Sequence, residues 1–167
     1  MPAAPELPHR AYAEAVAAMD GPGGAYEPDE WSAEEDEGRL EAGFYYRRTG
    51  PKTVWRDGLP AAVGPVLDTE EWPHGMLLFW NSVDGWSYAA LTDEWGGADF
   101  AEPLPVDRLA SPAAIRAVLP LLLAGDDHDL PARSERWDQP RAAALAGVLA
   151  AADAARSAGG NAEGERP

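Results

Sequence analysis

The sequence has no cysteine, one lysine and three histidines among 167 residues. Without cysteine there can be no disulfide, no thiol nucleophile and no cysteine-based zinc site. No apolar run approaches the roughly 20 residues needed to cross a bilayer. The opening Met1-Pro2-Ala3-Ala4-Pro5-Glu6-Leu7-Pro8 lacks the basic region and apolar core of a signal peptide, so a cytoplasmic location is expected by elimination. Also missing are a glycine-rich phosphate loop ending in Lys-Ser/Thr, a His-Glu-x-x-His pair and a Gly-x-Ser-x-Gly elbow. Positive charge is scarce: 13 basic residues stand against 29 acidic ones, a formal charge of −16. Such a field opposes direct contact with nucleic acid or anionic lipid, because neutralising phosphates takes clustered Lys and Arg. It suits a protein partner with a basic surface, or solubility alone.

What is present centres on Met76–Thr92, the densest apolar and aromatic stretch. Asp84-Gly85 between two β-prone runs predicts a hairpin, since Gly takes positive φ without steric cost. Two registers compete. A two-residue loop pairs Val83 with Trp86 and Trp80 with Ala89. A three-residue loop, Val83-Asp84-Gly85, pairs Ser82 with Trp86 and Trp80 with Tyr88. The second gathers Leu78, Trp80, Trp86, Tyr88 and Ala90 on one face and is preferred for its opposed aromatics. Leu77, Phe79, Ala89 and Leu91 fall on the other face.

Around this hairpin, Ala11, Tyr12, Ala15, Val16 and Met19 form a helical stripe that Asp20-Gly21-Pro22-Gly23-Gly24 stops. Residues 27–41 carry eight acids and one Arg, which predicts a solvated acidic loop. Trp31 within it is either an anchor onto the body or a contact for a basic partner. Ala42–Arg48 and Thr53–Arg56 are β-prone, joined by a turn at Thr49-Gly50-Pro51-Lys52. Arg47, Arg48, Lys52 and Arg56 follow the acidic run and are expected to screen it. Gly58–Gly64 reads as loop, Pro65–Trp72 as a brief strand or helical turn, and Ala98–Leu104 as an edge strand limited by prolines. Ser111-Pro112 opens a helix to about residue 124, Ser as cap and Pro in the first turn. Pro120 should kink it or end its regular part. A last, Ala-rich helix is expected over 138–157. The fold class is α+β: an antiparallel sheet of four or five strands centred on 76–92, packed by N-terminal and C-terminal helices. One domain should span 9–157, between a disordered lead-in (1–8) and tail (158–167).

Candidate chemistry is sparse. Asp126-Asp127-His128-Asp129 offers oxygen and nitrogen ligands, yet consecutive residues cannot all face one ion, and calcium-loop spacing is absent. Glu70-Glu71 and Asp93-Glu94 could do acid–base work if desolvated beside Trp72 or Trp95. Trp72, Trp80, Trp86 and Trp95, four of the seven tryptophans, fall within 24 positions. As core they build the fold; as surface they make a binding hot spot. The expected partner-binding residues are Trp31, Glu34, Glu35, Asp36, Trp72 and Trp95, with no catalytic residue, metal or cofactor.

The Ala11-Tyr12…Ala15-Val16 helix, the apolar strand ending in Trp80, the Gly85-Trp86 turn and the Ser111-Pro112 helix with its Leu-rich end resemble a family of small uncharacterised actinobacterial proteins. That resemblance implies no activity and no catalytic residue. By layout and acidity the chain also looks like small chaperones and immunity proteins. The expected function is a non-catalytic acidic binding protein (inhibitor, immunity factor or small chaperone) recognising a basic protein surface. A carboxylate- or metal-dependent hydrolase and a mimic of nucleic-acid charge are the alternatives.

Overall fold

The structure, a computed structural model, describes residues 5–21, 24–63 and 67–162. Parts of the lead-in and tail expected at 1–8 and 158–167 lie outside these residues. In chain order the elements are α1 (Arg10–Ala17), β1 (Glu30–Asp36), β2 (Arg39–Tyr46), β3 (Lys52–Arg56), β4 (Leu59–Val63), β5 (Met76–Asn81), β6 (Gly85–Ala90), β7 (Glu102–Pro103), α2 (Pro112–Leu123) and α3 (Ala142–Ala162). Five strands form one antiparallel sheet in the order β1-β2-β5-β6-β7, and β3 and β4 form a separate pair. The α+β class holds, with β5–β6 inside the sheet.

Alternation explains the sheet's two faces. Phe44 of β2, Leu78 and Trp80 of β5, and Trp86 and Tyr88 of β6 are all buried on one face. Tyr12 of α1 lies edge-on to both Trp80 and Trp86. Ile115, Val118, Leu119 and Leu122 of α2 and Leu145 and Leu149 of α3 complete the same core. Two polar bonds lock the tryptophans: Trp80 Nε1 donates to Arg108 O at 2.7 Å, and Trp86 Nε1 to the Tyr12 hydroxyl at 2.9 Å.

Several expectations need correction. The hairpin pairs Trp80 with Trp86 and Asn81 with Gly85, two residues off the preferred register. Parity is unchanged, so the expected aromatic face survives. Asn81 causes the slip: its Oδ1 accepts from Val83 N (2.9 Å) and Asp84 N (2.7 Å), closing the turn one step earlier. Gly85 still has φ 81°. The acidic loop of 27–41 is largely a hairpin, β1 and β2, turning through Glu37 and Gly38 at positive φ. As an edge strand β1 tolerates its charges, with Trp31 and Ala33 turned inward and half-buried. Gly58–Gly64 was expected to be loop, yet β4 pairs with β3 there. Helix α2 reaches Leu123, as expected, with Pro120 inside it and not at its end. The last helix begins at Ala142 and reaches Ala162, so residues 158–162 of the expected tail are helical.

Candidate functional site

Beside the short edge strand β7 lies a cavity of about 240 Å³. Its lining includes Glu71, Asp99, Glu102 and Asp127, with Tyr88, Trp72 and Phe100, and neither Arg nor Lys among the described residues. Each side chain arrives by a different route. Tyr88 sits on β6 directly opposite Glu102 on β7, so the two share a face. Asp127 comes from the turn after α2, where Gly125 takes φ 75°. Trp72 forms a wall, edge-on to Tyr88 with centroids 6.1 Å apart.

Counting protons defines the chemistry. The Tyr88 hydroxyl donates to Glu102 Oε2 at 2.9 Å and lies 3.2 Å from Asp127 Oδ2. A phenol has one proton, so it cannot serve both carboxylates. Burial, then Glu102 and Asp127, push the Tyr88 pKa up, which keeps the hydroxyl a donor. Asp127 Oδ1 is buried and, among the described residues, has no hydrogen-bond partner. The nearest cationic candidate is His128 Nδ1 at 3.8 Å, on a ring 93% exposed. The site therefore holds more acceptors than donors. An ammonium or guanidinium group would supply what is missing, and Phe100, 94% exposed, offers its stem an apolar wall.

The residues singled out from sequence do not converge. Glu34, Glu35 and Asp36 are exposed on β1, at the opposite edge of the sheet from β7. Trp31 is half-buried, stacked over Phe44 at 6.4 Å with the Arg10 guanidinium 5.8 Å from its ring. Trp72 is only 4% exposed and donates from Nε1 to Leu122 O at 2.7 Å, so it stands in the wall of the cavity and not on an open surface. Trp95 is 90% exposed. Its turn is held by Asp93, whose Oδ1 accepts from Gly97 N and Trp95 N; those bonds lower the Asp93 pKa. Asp93 thus serves a turn.

The Asp126–Asp129 string splits as its spacing requires, Asp127 facing Tyr88 and His128 facing solvent. Among the described residues no three His, Asp or Glu side chains come together as a metal site. Arg47 meets Glu30 at 3.5 Å and Arg48 meets Asp29 at 2.7 Å, the internal screening expected of them. Glu102 was missed, and nothing in its sequence context marks it. The chain matches no family model, no curated protein and no solved structure at a significant level.

Proposed function

We propose that this protein is a non-catalytic binding protein that takes a Lys or Arg side chain of a basic protein partner into the Tyr88 cavity. The observation that carries the reading is the buried Asp127 Oδ1, without a hydrogen-bond partner among the described residues, beside a phenol proton that can serve only one of two carboxylates. An incoming cation would make charge-assisted hydrogen bonds, each contributing about 1.5–3 kcal/mol. The charge of −16 speeds the approach of a basic surface and weakens with salt. Exposed Phe100 and Trp95, on the segment leading into β7, add apolar contact area. An inhibitor, immunity factor or small chaperone would all use such a receptor.

NMR titration tests it, using acetylated lysine and arginine amides with the norleucine amide as uncharged control. The cationic compounds should shift Tyr88, Phe100 and Asp127 with about millimolar affinity, near −4 kcal/mol. The control should not. Replacing Asp127→Asn and Glu102→Gln together should remove the response. Equal shifts with norleucine amide, or none with any compound, would reject the reading.

A further inference from the structure

The β3–β4 pair is an arm with one usable edge. Its strands meet at Asp57 and Gly58, both at positive φ, so Arg56 and Leu59 flank a two-residue turn and form a hydrogen-bonded pair. Bonded and non-bonded pairs alternate from there. The backbone groups of Thr53 and Trp55 on β3, and of Pro60 and Ala62 on β4, therefore point away from the arm. Pro60 brings no N–H, which blunts the β4 edge. On β3 two donors and two acceptors stay open among the described residues. The arm also leaves Trp55 72% and Leu59 69% exposed, and a lone two-stranded ribbon is marginally stable in water.

A complementary edge exists on β1. Glu37 and Gly38, at φ 49° and 81°, fix the same alternation, which points the backbone N–H and C=O groups of Trp31, Ala33 and Glu35 away from β2. Leu40 checks the count. As the partner of Glu35 it should bond away from β1, and it does: its N–H donates to Ser82 Oγ (3.1 Å) and its carbonyl accepts from Ser82 N (2.9 Å).

We infer that β3 of one copy adds antiparallel to the outer edge of β1 in a second copy, Trp55 opposite Trp31 and Thr53 opposite Ala33. This alignment makes both pairs hydrogen-bonded, because all four residues turn their backbone groups outward. It also sets Lys52 opposite Glu34 and Arg56 opposite Glu30. Charge selects the occupant. β3 carries two basic residues and no acid, whereas β1 carries Glu30, Glu34, Glu35 and Asp36 and no base. Two β3 edges paired about Val54 would set Lys52 against Arg56, and two β1 edges would set acid against acid; like charges directly opposite repel. The contact is heterologous, so it closes by reciprocal exchange or extends into a larger assembly. It does not rest on the cation-binding reading.

Sedimentation velocity of the full chain at physiological salt, across about a hundredfold range of concentration, tests it. The wild type should rise in mean mass to at least two copies. Thr53→Pro and Ala33→Pro each delete an outward N–H while sparing their own hairpin's bonds, and both should stay monomeric. Arg56→Glu leaves the backbone untouched and should weaken association at least tenfold, which guards against proline damage to the arm. Asp127→Asn should associate as the wild type does, separating this result from the fate of the cavity. A wild type that is monomeric throughout, or an Arg56→Glu variant that associates undiminished, would overturn the inference.

Discussion

Replacing Tyr12 with Phe removes one oxygen atom and tests how the helices are fastened to the sheet. Tyr12 is 1% exposed. Its hydroxyl donates to Ala110 O at 2.6 Å and accepts from Trp86 Nε1 at 2.9 Å, linking α1, the chain before α2, and β6. Phe keeps the ring and its edge-on contacts with Trp80 and Trp86. What it strands is one buried donor and one buried acceptor, each costing about 1–3 kcal/mol. Allowing for partial relaxation, the loss should be about 2–4 kcal/mol. For a chain of this size that lowers the Tm by about 5–15 °C.

Urea unfolding is the assay, with an unchanged slope showing that the unfolded state is not the cause. A cycle with Trp86→Phe isolates the shared bond. Once Tyr12 is Phe, the Trp86 N–H has already lost its acceptor, so the two losses should fall short of additive by about 1 kcal/mol. A Tyr12→Phe variant within about 0.5 kcal/mol of the wild type, the range of ordinary surface changes, would refute the reasoning. So would strict additivity.

Gly85→Val should cost about 1–3 kcal/mol in the same assay, because φ is 81° and an added Cβ would sit 3.2 Å from Arg108 Cα. His9 makes stability depend on pH: it is fully buried, its Nε2 bonds Glu41 O at 2.8 Å, and burial lowers its pKa. The unfolded chain then takes up a proton that the folded chain refuses, so stability is full above about pH 6.5 and falls as pH drops toward the folded value. His9→Gln should flatten that slope in thermal melts.

The large features were legible because they follow from period and parity. Alternation assigned Leu78, Trp80, Trp86 and Tyr88 to one face, and a two-residue slip of register cannot undo that. Ser111 caps α2 as its sequence announces, its Oγ accepting from Ala114 N at 3.1 Å. The turns show where local signals run out. Asp-Gly occurs three times: Asp20-Gly21 follows α1, Asp57-Gly58 makes the two-residue hairpin turn, and at Asp84-Gly85 the side chain of Asn81 imposes another closure. The acidic run misled for a related reason. Charge density argues for solvation, but an edge strand needs only one apolar face, and Trp31 and Ala33 supply it while the acids stay in water.

The cavity was illegible for a deeper reason. Tyr88 and Asp127 are 39 residues apart with Glu102 between them, and each has an ordinary explanation in its own neighbourhood: a hairpin aromatic, an acid before a proline, an acid in a polar loop. Their shared property is a deficit of protons, and a deficit exists only once the groups are within bonding distance. β6–β7 pairing puts Glu102 across from Tyr88, and the turn after α2 sets Asp127 beside Tyr88. With 29 acids, composition makes chance pairs common, so spacing cannot single out the pair that matters. Burial does. An exposed carboxylate beside a phenol is satisfied by water, whereas Asp127 Oδ1 is buried with no hydrogen-bond donor among the described residues, and a buried acceptor left so is costly. The fold carries that cost beside the recess, and on the proposed reading an arriving cation would remove it.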